Sequence, residues 1–103
     1  MQKVINKKIY DTERAKLVAK YSNGLPISNF KHVYEDLYVT KKGQFFLHVQ
    51  GGPLTIYSEK IGSNTYGVED IILLSEDEAY KWLEKNNEIE VIKKYFDSEI
   101  EEG

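Results

Sequence analysis

The residues with the most chemical promise are aromatic and basic side chains in one hairpin-like segment. Tyr34, Tyr38 and Phe46 fall at positions that a β-hairpin would place on one face, and Lys41 and Lys42 fall at its predicted turn. Aromatic rings on a sheet beside lysines can stack nucleic-acid bases, as they do in single-strand binders. The same side chains can anchor a protein interface. The alternative is that the C-terminal helices cover this face and make it core.

Other candidates for chemistry are few. Asp36 and His48 are predicted cross-strand neighbours, which could hold a proton or a metal ion, or form a surface ion pair worth less than about 1 kcal/mol. His48 is also a candidate partner-binding residue on the aromatic face. The chain has no cysteine, which excludes thiolate catalysis and sulfur-ligated metal sites. The glycine clusters lack the Lys and Ser/Thr of a phosphate loop. We therefore predict no catalytic residue, cofactor or metal, and a protein that is not an enzyme.

The charge is divided unevenly along the chain. Residues 1–68 carry ten Lys or Arg and five Asp or Glu, whereas residues 69–103 carry four and twelve. An acidic C-terminal surface could be steered by charge toward a basic partner. Glu84, Glu88 and Glu90 are the candidate contact residues for such a partner. The alternative is an ordinary solvated pair of helices.

The clearest predicted element is a hairpin over residues 33–50. Two β-rich runs flank residues 41–43 (KKG), and a three-residue connection with glycine last is typical of a type I turn followed by a G1 bulge. With Thr40 opposite Gln44, Leu37 faces Leu47 on an apolar side and Tyr38 faces Phe46 on an aromatic side. A slip by one residue would mix these two sets, so the alternation favours this register.

The N-terminal part predicts less regular structure. Residues 2–10 are expected to form a short hairpin or one irregular strand, with a turn at residues 6–7 (NK). Asp11 is predicted to cap a short helix that begins at Thr12. Residues 16–21 could continue this helix or form a strand, because their periodicity favours neither.

The C-terminal part predicts one strand and two helices. Residues 71–74 (IILL) form a continuous apolar run, typical of a central strand buried on both faces. Ser75 and Glu78 have the spacing of a capping box at the start of a helix. Residues 86–87 (NN) end that helix, a second begins near Glu88, and residues 98–103 are expected to be frayed.

These elements predict a single α+β domain over residues 1–103. A mostly antiparallel sheet of four to six strands is built around the 33–50 hairpin, and the two C-terminal helices pack on one of its faces. The predicted core consists of Leu37, Val39, Phe45, Leu47, Ile72, Leu74, Trp82 and Phe96.

The order of several stretches resembles a group of small proteins carried by phages, plasmids and integrative elements of Gram-positive bacteria. The matching stretches are residues 8–13 (KIYDTE) with Ala15, 22–24 (SNG), 35–47 (EDLYVTKKGQFFL), 51–55 (GGPLT) with Tyr57, Gly62, 71–74 (IILL) and 75–79 (SEDEA) with Trp82. The resemblance covers most of the chain up to about residue 85. The chain departs from the group at residues 24–27 (GLPI), where a more polar loop is expected.

The resemblance implies an anti-CRISPR inhibitor of a type II effector nuclease. The partner would then be the nuclease or its guide-RNA complex, and the group supplies no catalytic residue to carry over. The alternative is a small nucleic-acid-binding accessory protein of a mobile element, which would use the basic N-terminal part and the aromatic face. The N-terminus lacks the apolar stretch of a signal peptide, and no apolar run approaches the ~20 residues of a membrane span, so we expect a cytoplasmic protein.

Overall fold

The computed structural model describes residues 1–96, and over that range the fold is α+β, as predicted. Seven strands are followed by two helices. The strands are β1 (Gln2–Ile5), β2 (Lys8–Asp11), β3 (Lys16–Ser22), β4 (Val33–Val39), β5 (Phe45–Gly51), β6 (Ser58–Ile61) and β7 (Asn64–Leu74), and the helices are α1 (Glu76–Lys85) and α2 (Ile89–Tyr95). The main sheet is antiparallel in the order β3-β4-β5-β7-β6, and β1 and β2 form a separate two-stranded sheet.

The predicted register of the β4–β5 hairpin is confirmed. Leu37 pairs with Leu47, and Tyr38 pairs with Phe46. The Thr40 amide donates to the Gln44 carbonyl at 2.9 Å, and Gly43 has the positive φ of 87° that the bulge requires. The alternation of side chains along the two strands therefore determined the register, because only one register gives the sheet an apolar face.

Both helices pack against that apolar face. Leu37, Val49, Ala79 and Leu83 are fully buried between the sheet and α1. Ser75 caps α1 in the predicted capping box, with its hydroxyl accepting from the Glu78 amide at 3.1 Å. Phe96, which follows α2, stacks on Phe45 of β5 with ring centroids 5.7 Å apart, while Tyr80 of α1 contacts Phe96 edge-on. These residues belong to the main hydrophobic core, which lies between the sheet and the two helices.

One carboxylate lies beside this core. Glu35 of β4 is half-buried on the helix-facing side, where its Oε1 accepts a hydrogen bond from the Trp82 indole Nε1–H at 2.8 Å. Its Oε2 accepts a short hydrogen bond from the Tyr57 hydroxyl. Burial, with help from this bond and from the nearby negative charge, raises the pKa of Tyr57 far above its ordinary value, so the phenol stays a donor. Glu35 thereby links α1 and the loop after β5 to the sheet.

The N-terminal hairpin covers part of the opposite face. Tyr10, Phe46 and Ile71 form a second buried cluster there, and the Tyr10 and Phe46 rings meet edge-on with centroids 5.9 Å apart. Helices therefore cover one face, and β1–β2 covers part of the other. Of the two alternatives for residues 2–10, a short hairpin or one irregular strand, the structure has the hairpin, with its turn at Asn6 and Lys7, both of which have positive φ.

The segment between β2 and β3 differs from the prediction. Residues 12–15 form a turn rather than a helix, with the Ala15 amide donating to the Asp11 carbonyl at 3.0 Å. Residues 16–21, for which helix and strand were both open, lie in strand β3. This segment is a strand because of its tertiary contacts. Strand β3 pairs along β4 over seven residues, and a short helix would leave the backbone groups on that edge of β4 without partners.

The prediction for residues 71–74 is partly wrong. They lie at an edge of the sheet, since β7 pairs there with β5 alone and β6 pairs only with residues 64–67. Ile71 is buried, but Ile72 is 37% exposed, so its assignment to the core was wrong. Val39 and Leu74 are half-buried, while the other five predicted core residues are buried.

The predicted fraying of residues 98–103 lies outside the described residues. In residues 1–96, no helix has the length and apolar character that crossing a membrane requires.

Candidate functional site

The aromatic face does not form the open platform that the sequence suggested. Phe46 is fully buried under the N-terminal hairpin, so its assignment as a partner-binding residue was wrong. Tyr38 is half-buried and stacks on Phe46 with ring centroids 5.3 Å apart. Tyr34 is half-buried, and its hydroxyl donates to the Leu25 carbonyl at 2.6 Å. These rings mainly stabilise the fold, because their faces are occupied by other parts of the chain.

His48 makes a different contact from the one predicted. It is the cross-strand partner of Asp36, as expected, but its Nε2 lies 2.9 Å from Glu69 Oε2 on the other neighbouring strand. Gln50 Nε2 donates to the same oxygen at 2.9 Å. The hydrogen bond with His48, followed by that from Gln50, lowers the pKa of Glu69. His48 and Gln50 of β5 are thus hydrogen-bonded to Glu69 of β7, which links the two strands and leaves the imidazole Nε2 already engaged.

Lys41 and Lys42 belong to a larger basic site, which we call the basic cleft. It lies between the β4–β5 turn and the N-terminal hairpin, with a volume of about 1050 Å³. Lys8 and Arg14 contribute two further cations to the same cleft. The complete lining is Lys8, Ile9, Tyr10, Asp11, Glu13, Arg14, Ala15, Thr40, Lys41, Lys42, Gly43 and Gln44. The sequence separates these segments by about thirty residues, so only the docking of β1–β2 on the sheet brings the four cations together.

Hydrogen bonds hold both walls of the basic cleft. On one wall, the Asp11 carboxylate accepts from the Glu13 amide and from Gln2 Nε2, both at 2.9 Å. On the other wall, the Gln44 side chain donates to the Leu74 carbonyl at 2.9 Å, which ties the β4–β5 turn to β7. The Glu13 amide and then Gln2 lower the pKa of Asp11 below its ordinary value. Hydrogen bonds therefore fix the local conformation of each wall of the cleft.

The Asp11 contacts give a pH-dependent prediction. Because the folded state lowers the pKa of this carboxyl from 3.8, its charge stabilises the fold above that pH, and this contribution is lost as the pH falls through the lowered value. We expect Asp11→Asn to unfold more easily than the parent at pH 7, with the difference shrinking below about pH 4. Urea unfolding at several pH values measures this. Glu59→Gln, on exposed β6, is the charge-matched control, and an Asp11→Asn deficit that persists unchanged at pH 2 would contradict the assignment.

A second surface was missed by the sequence analysis. Ile27, Phe30, Leu54 and Ile56 are between 63% and 85% exposed, and they lie on the two loops that join β3 to β4 and β5 to β6. We call these four side chains the loop surface. One feature of the sequence indicated this surface: residues 24–27 (GLPI) are more apolar than the loop expected from the resemblance to mobile-element proteins.

The two loops are held against each other. The Leu54 amide donates to the Phe30 carbonyl at 3.0 Å, and the Gly52 amide donates to the His32 carbonyl at 3.0 Å. Gly52 is required at this approach, because a Cβ there would lie 2.3 Å from the Phe30 carbonyl oxygen. Beside the loop surface is a groove of about 310 Å³, lined by Leu54 and Ile56 together with Lys31 and Lys85. The exposed apolar side chains are thus presented by a fixed backbone.

The acidic candidates are on the helices. Glu84 and Glu90 are exposed, and Glu88, which precedes α2, is half-buried. Of the eight carboxylates in residues 69–96, Glu69 and Asp70 belong to β7, so residues 76–96 carry six carboxylates and four lysines. Asp77 and Lys81 form an ion pair at 3.1 Å. The remaining four carboxylates of the predicted acidic region lie in residues 97–103, outside the described residues. The described helical surface is therefore only mildly acidic.

Comparison with known proteins adds no assignment. No protein-family model, curated protein or solved structure matches the chain. The resemblance to small mobile-element proteins accordingly stays a prediction from the sequence.

Proposed function

We propose that this chain is a non-enzymatic inhibitor that binds a host defence complex, with a type II CRISPR nuclease as its target. The observation that carries the proposal is the loop surface. Exposed apolar side chains grouped on one part of a fold mark interaction sites, and here four large ones lie on two loops that are hydrogen-bonded to each other. The resemblance to mobile-element proteins supplies the choice of target.

The rigidity of the loops supports binding to a protein. Association costs free energy whenever a loop must be ordered, and a backbone that is already hydrogen-bonded avoids most of that cost. Phe30 and Ile56 are the natural anchors, since an aromatic or large aliphatic side chain that enters a partner's pocket contributes most of the binding energy. Lys31 and Lys85 beside the groove favour a partner segment that carries a carboxylate near its apolar residue.

The mildly acidic helices have a supporting role in this proposal. Type II nucleases hold their heteroduplex in a positively charged channel. Charges at the rim of an interface mainly set the association rate, whereas buried anchors set the dissociation rate. Glu84, Glu88 and Glu90 would therefore speed the encounter with such a channel, while the loop surface holds the complex together.

Binding kinetics with a guide-loaded type II nuclease test the proposal. We expect the double variant Phe30→Ala/Ile56→Ala to raise the dissociation rate about thirtyfold or more, as loss of a hot spot does. The control variant Val4→Ala/Ile61→Ala removes two other exposed apolar side chains, away from the loop surface, and should bind like the parent. Inhibition of target-DNA cleavage should follow the same order.

A charge variant tests the role of the helices. Replacing Glu84, Glu88 and Glu90 by glutamine should slow association and flatten its salt dependence, while leaving dissociation nearly unchanged. If the parent neither binds the guide-loaded nuclease nor reduces its cleavage, the target is wrong. If the parent binds but the Phe30/Ile56 variant binds equally well, the loop surface is not the interface.

A further inference from the structure

We infer that the basic cleft binds the phosphate backbone of a single-stranded nucleic acid. This activity goes beyond the proposed inhibition of a nuclease and does not depend on it. The two sites are at opposite ends of the sheet, because β4 begins beside one loop of the loop surface and ends at the turn that carries Lys41 and Lys42. Seven strand residues separate those ends by roughly 20 Å, so both sites can be occupied at once.

The charge of the cleft favours an anionic ligand. Lys8, Arg14, Lys41 and Lys42 line it, and the Arg14 side chain is 87% exposed. The opposing carboxylates are Asp11 and Glu13. The Asp11 carboxylate already has partners: it accepts hydrogen bonds from Gln2 Nε2 and the Glu13 amide, and its Oδ2 lies 3.7 Å from Arg14 Nε. Cations therefore outnumber the carboxylates that face the same space.

Another lysine strengthens the positive potential at this end of the molecule. Lys16 begins β3 opposite Val39, next to the β4–β5 turn, and it is exposed. The loop surface lies at the far end, and the helices lie on the other face of the sheet. A run of cations of this kind is what a phosphate backbone requires, since each neutralised phosphate releases a condensed counterion.

The shape favours a single strand over a duplex. The basic cleft is a concave space between two hairpin ends, and its volume of about 1050 Å³ can enclose a short stretch of flexible strand. A duplex is wide and convex, so it would touch only the rims. Ile9 lines the cleft and is 66% exposed, which offers an apolar surface to an unstacked base. A strand could thus place its phosphates on the lysines and one base on the isoleucine.

Fluorescence anisotropy with labelled strands tests the inference. Single-stranded RNA and DNA of mixed sequence are titrated with the full chain at about 50 mM salt and upward, beside the matching duplex and a free nucleoside triphosphate. We expect single strands to bind more tightly than the duplex or the nucleotide. The cleft variant, Lys8→Gln/Arg14→Gln/Lys41→Gln/Lys42→Gln, should bind about a hundredfold more weakly, and its salt slope should fall by roughly 0.7 for each cation removed.

A charge-matched control variant separates the effect of the basic cleft on affinity from the effect of net charge. Lys20, Lys60, Lys81 and Lys93 are all exposed and line neither the basic cleft nor the groove beside the loop surface, so their replacement by glutamine changes the net charge equally. The control should keep most of the affinity. Backbone amide shifts on adding RNA should concentrate in residues 8–15 and 40–44.

Several outcomes would overturn the inference. These are no strand binding by the parent at low salt, equal losses in the cleft and control variants, and tighter binding of the duplex or the free nucleotide than of single strands. Failure here is distinguishable from failure of the proposed inhibition, because the cleft variant keeps the whole loop surface. It should still bind a guide-loaded nuclease if the loop surface is the interface.

Discussion

Replacing Phe46 by alanine should lower the free energy of unfolding by about 3–5 kcal/mol, the usual cost of emptying a fully buried phenylalanine site. Phe46 has no exposed surface, and its ring contacts Tyr38 face-on and Tyr10 edge-on. The alanine variant would leave a cavity under the N-terminal hairpin that neighbouring side chains fill only in part. Urea unfolding monitored by circular dichroism measures the change.

Phe30→Ala is the matched control for Phe46→Ala. The substitution is the same, but the Phe30 side chain is 65% exposed on the loop surface, so its loss should change stability by no more than about 0.5 kcal/mol. The pair also separates folding from binding, because Phe30→Ala should impair binding to the target without altering the fold. Equal stability losses in the two variants would show that the assigned burial of Phe46 is wrong.

Replacing Glu35 by alanine should cost about 2–5 kcal/mol of stability. The change removes the acceptor of both the Trp82 indole N–H and the Tyr57 hydroxyl. A buried donor left without a partner costs about 1–3 kcal/mol, and two donors are affected here. Because Glu35 connects β4 to α1, we also expect the loss to loosen the helix. Near-ultraviolet circular dichroism of Trp82, together with urea unfolding, reports both effects.

Glu35→Gln serves as the conservative comparison. Its amide oxygen can still accept one of the two hydrogen bonds, so its loss of stability should be well below that of Glu35→Ala. Tyr57→Phe completes a double-mutant cycle with Glu35→Ala, and a coupling of about 0.5 kcal/mol or more is expected for groups in direct contact. Additive effects in that cycle would mean that the Tyr57 hydroxyl does not depend on Glu35.

Several elements could be read from the sequence because their signals are local. The β4–β5 register follows from strict alternation, and its turn follows from Gly43 at the bulge. The start of α1 follows from Ser75 and Glu78 at capping-box spacing. In each case the deciding interactions lie within a few residues or between strands joined by a short turn, so no distant part of the chain is needed.

Other expectations failed because they depended on distant neighbours. Ile72 was assigned to the core from its apolar run, but burial of a strand depends on what pairs beside it, and β6 reaches only residues 64–67. Phe46 was offered as a contact residue because nothing local shows that β1–β2 folds over it. Residues 16–21 form a strand because they pair with the edge of β4 that would otherwise be unpaired.

The sequence by itself determined the α+β class, the central hairpin, the capping of α1 and the shortage of catalytic side chains, since these depend on residue type and short-range spacing. Tertiary structure alone decided which surfaces are available for binding. The docking of β1–β2 on the sheet buries Phe46, and it also places Lys8 and Arg14 beside the lysines of the β4–β5 turn. The close approach of two loops at Gly52 presented Phe30 and its apolar neighbours to solvent. Binding surfaces arise from contacts between segments far apart in the chain, and the periodicity of one segment carries no information about its distant partner.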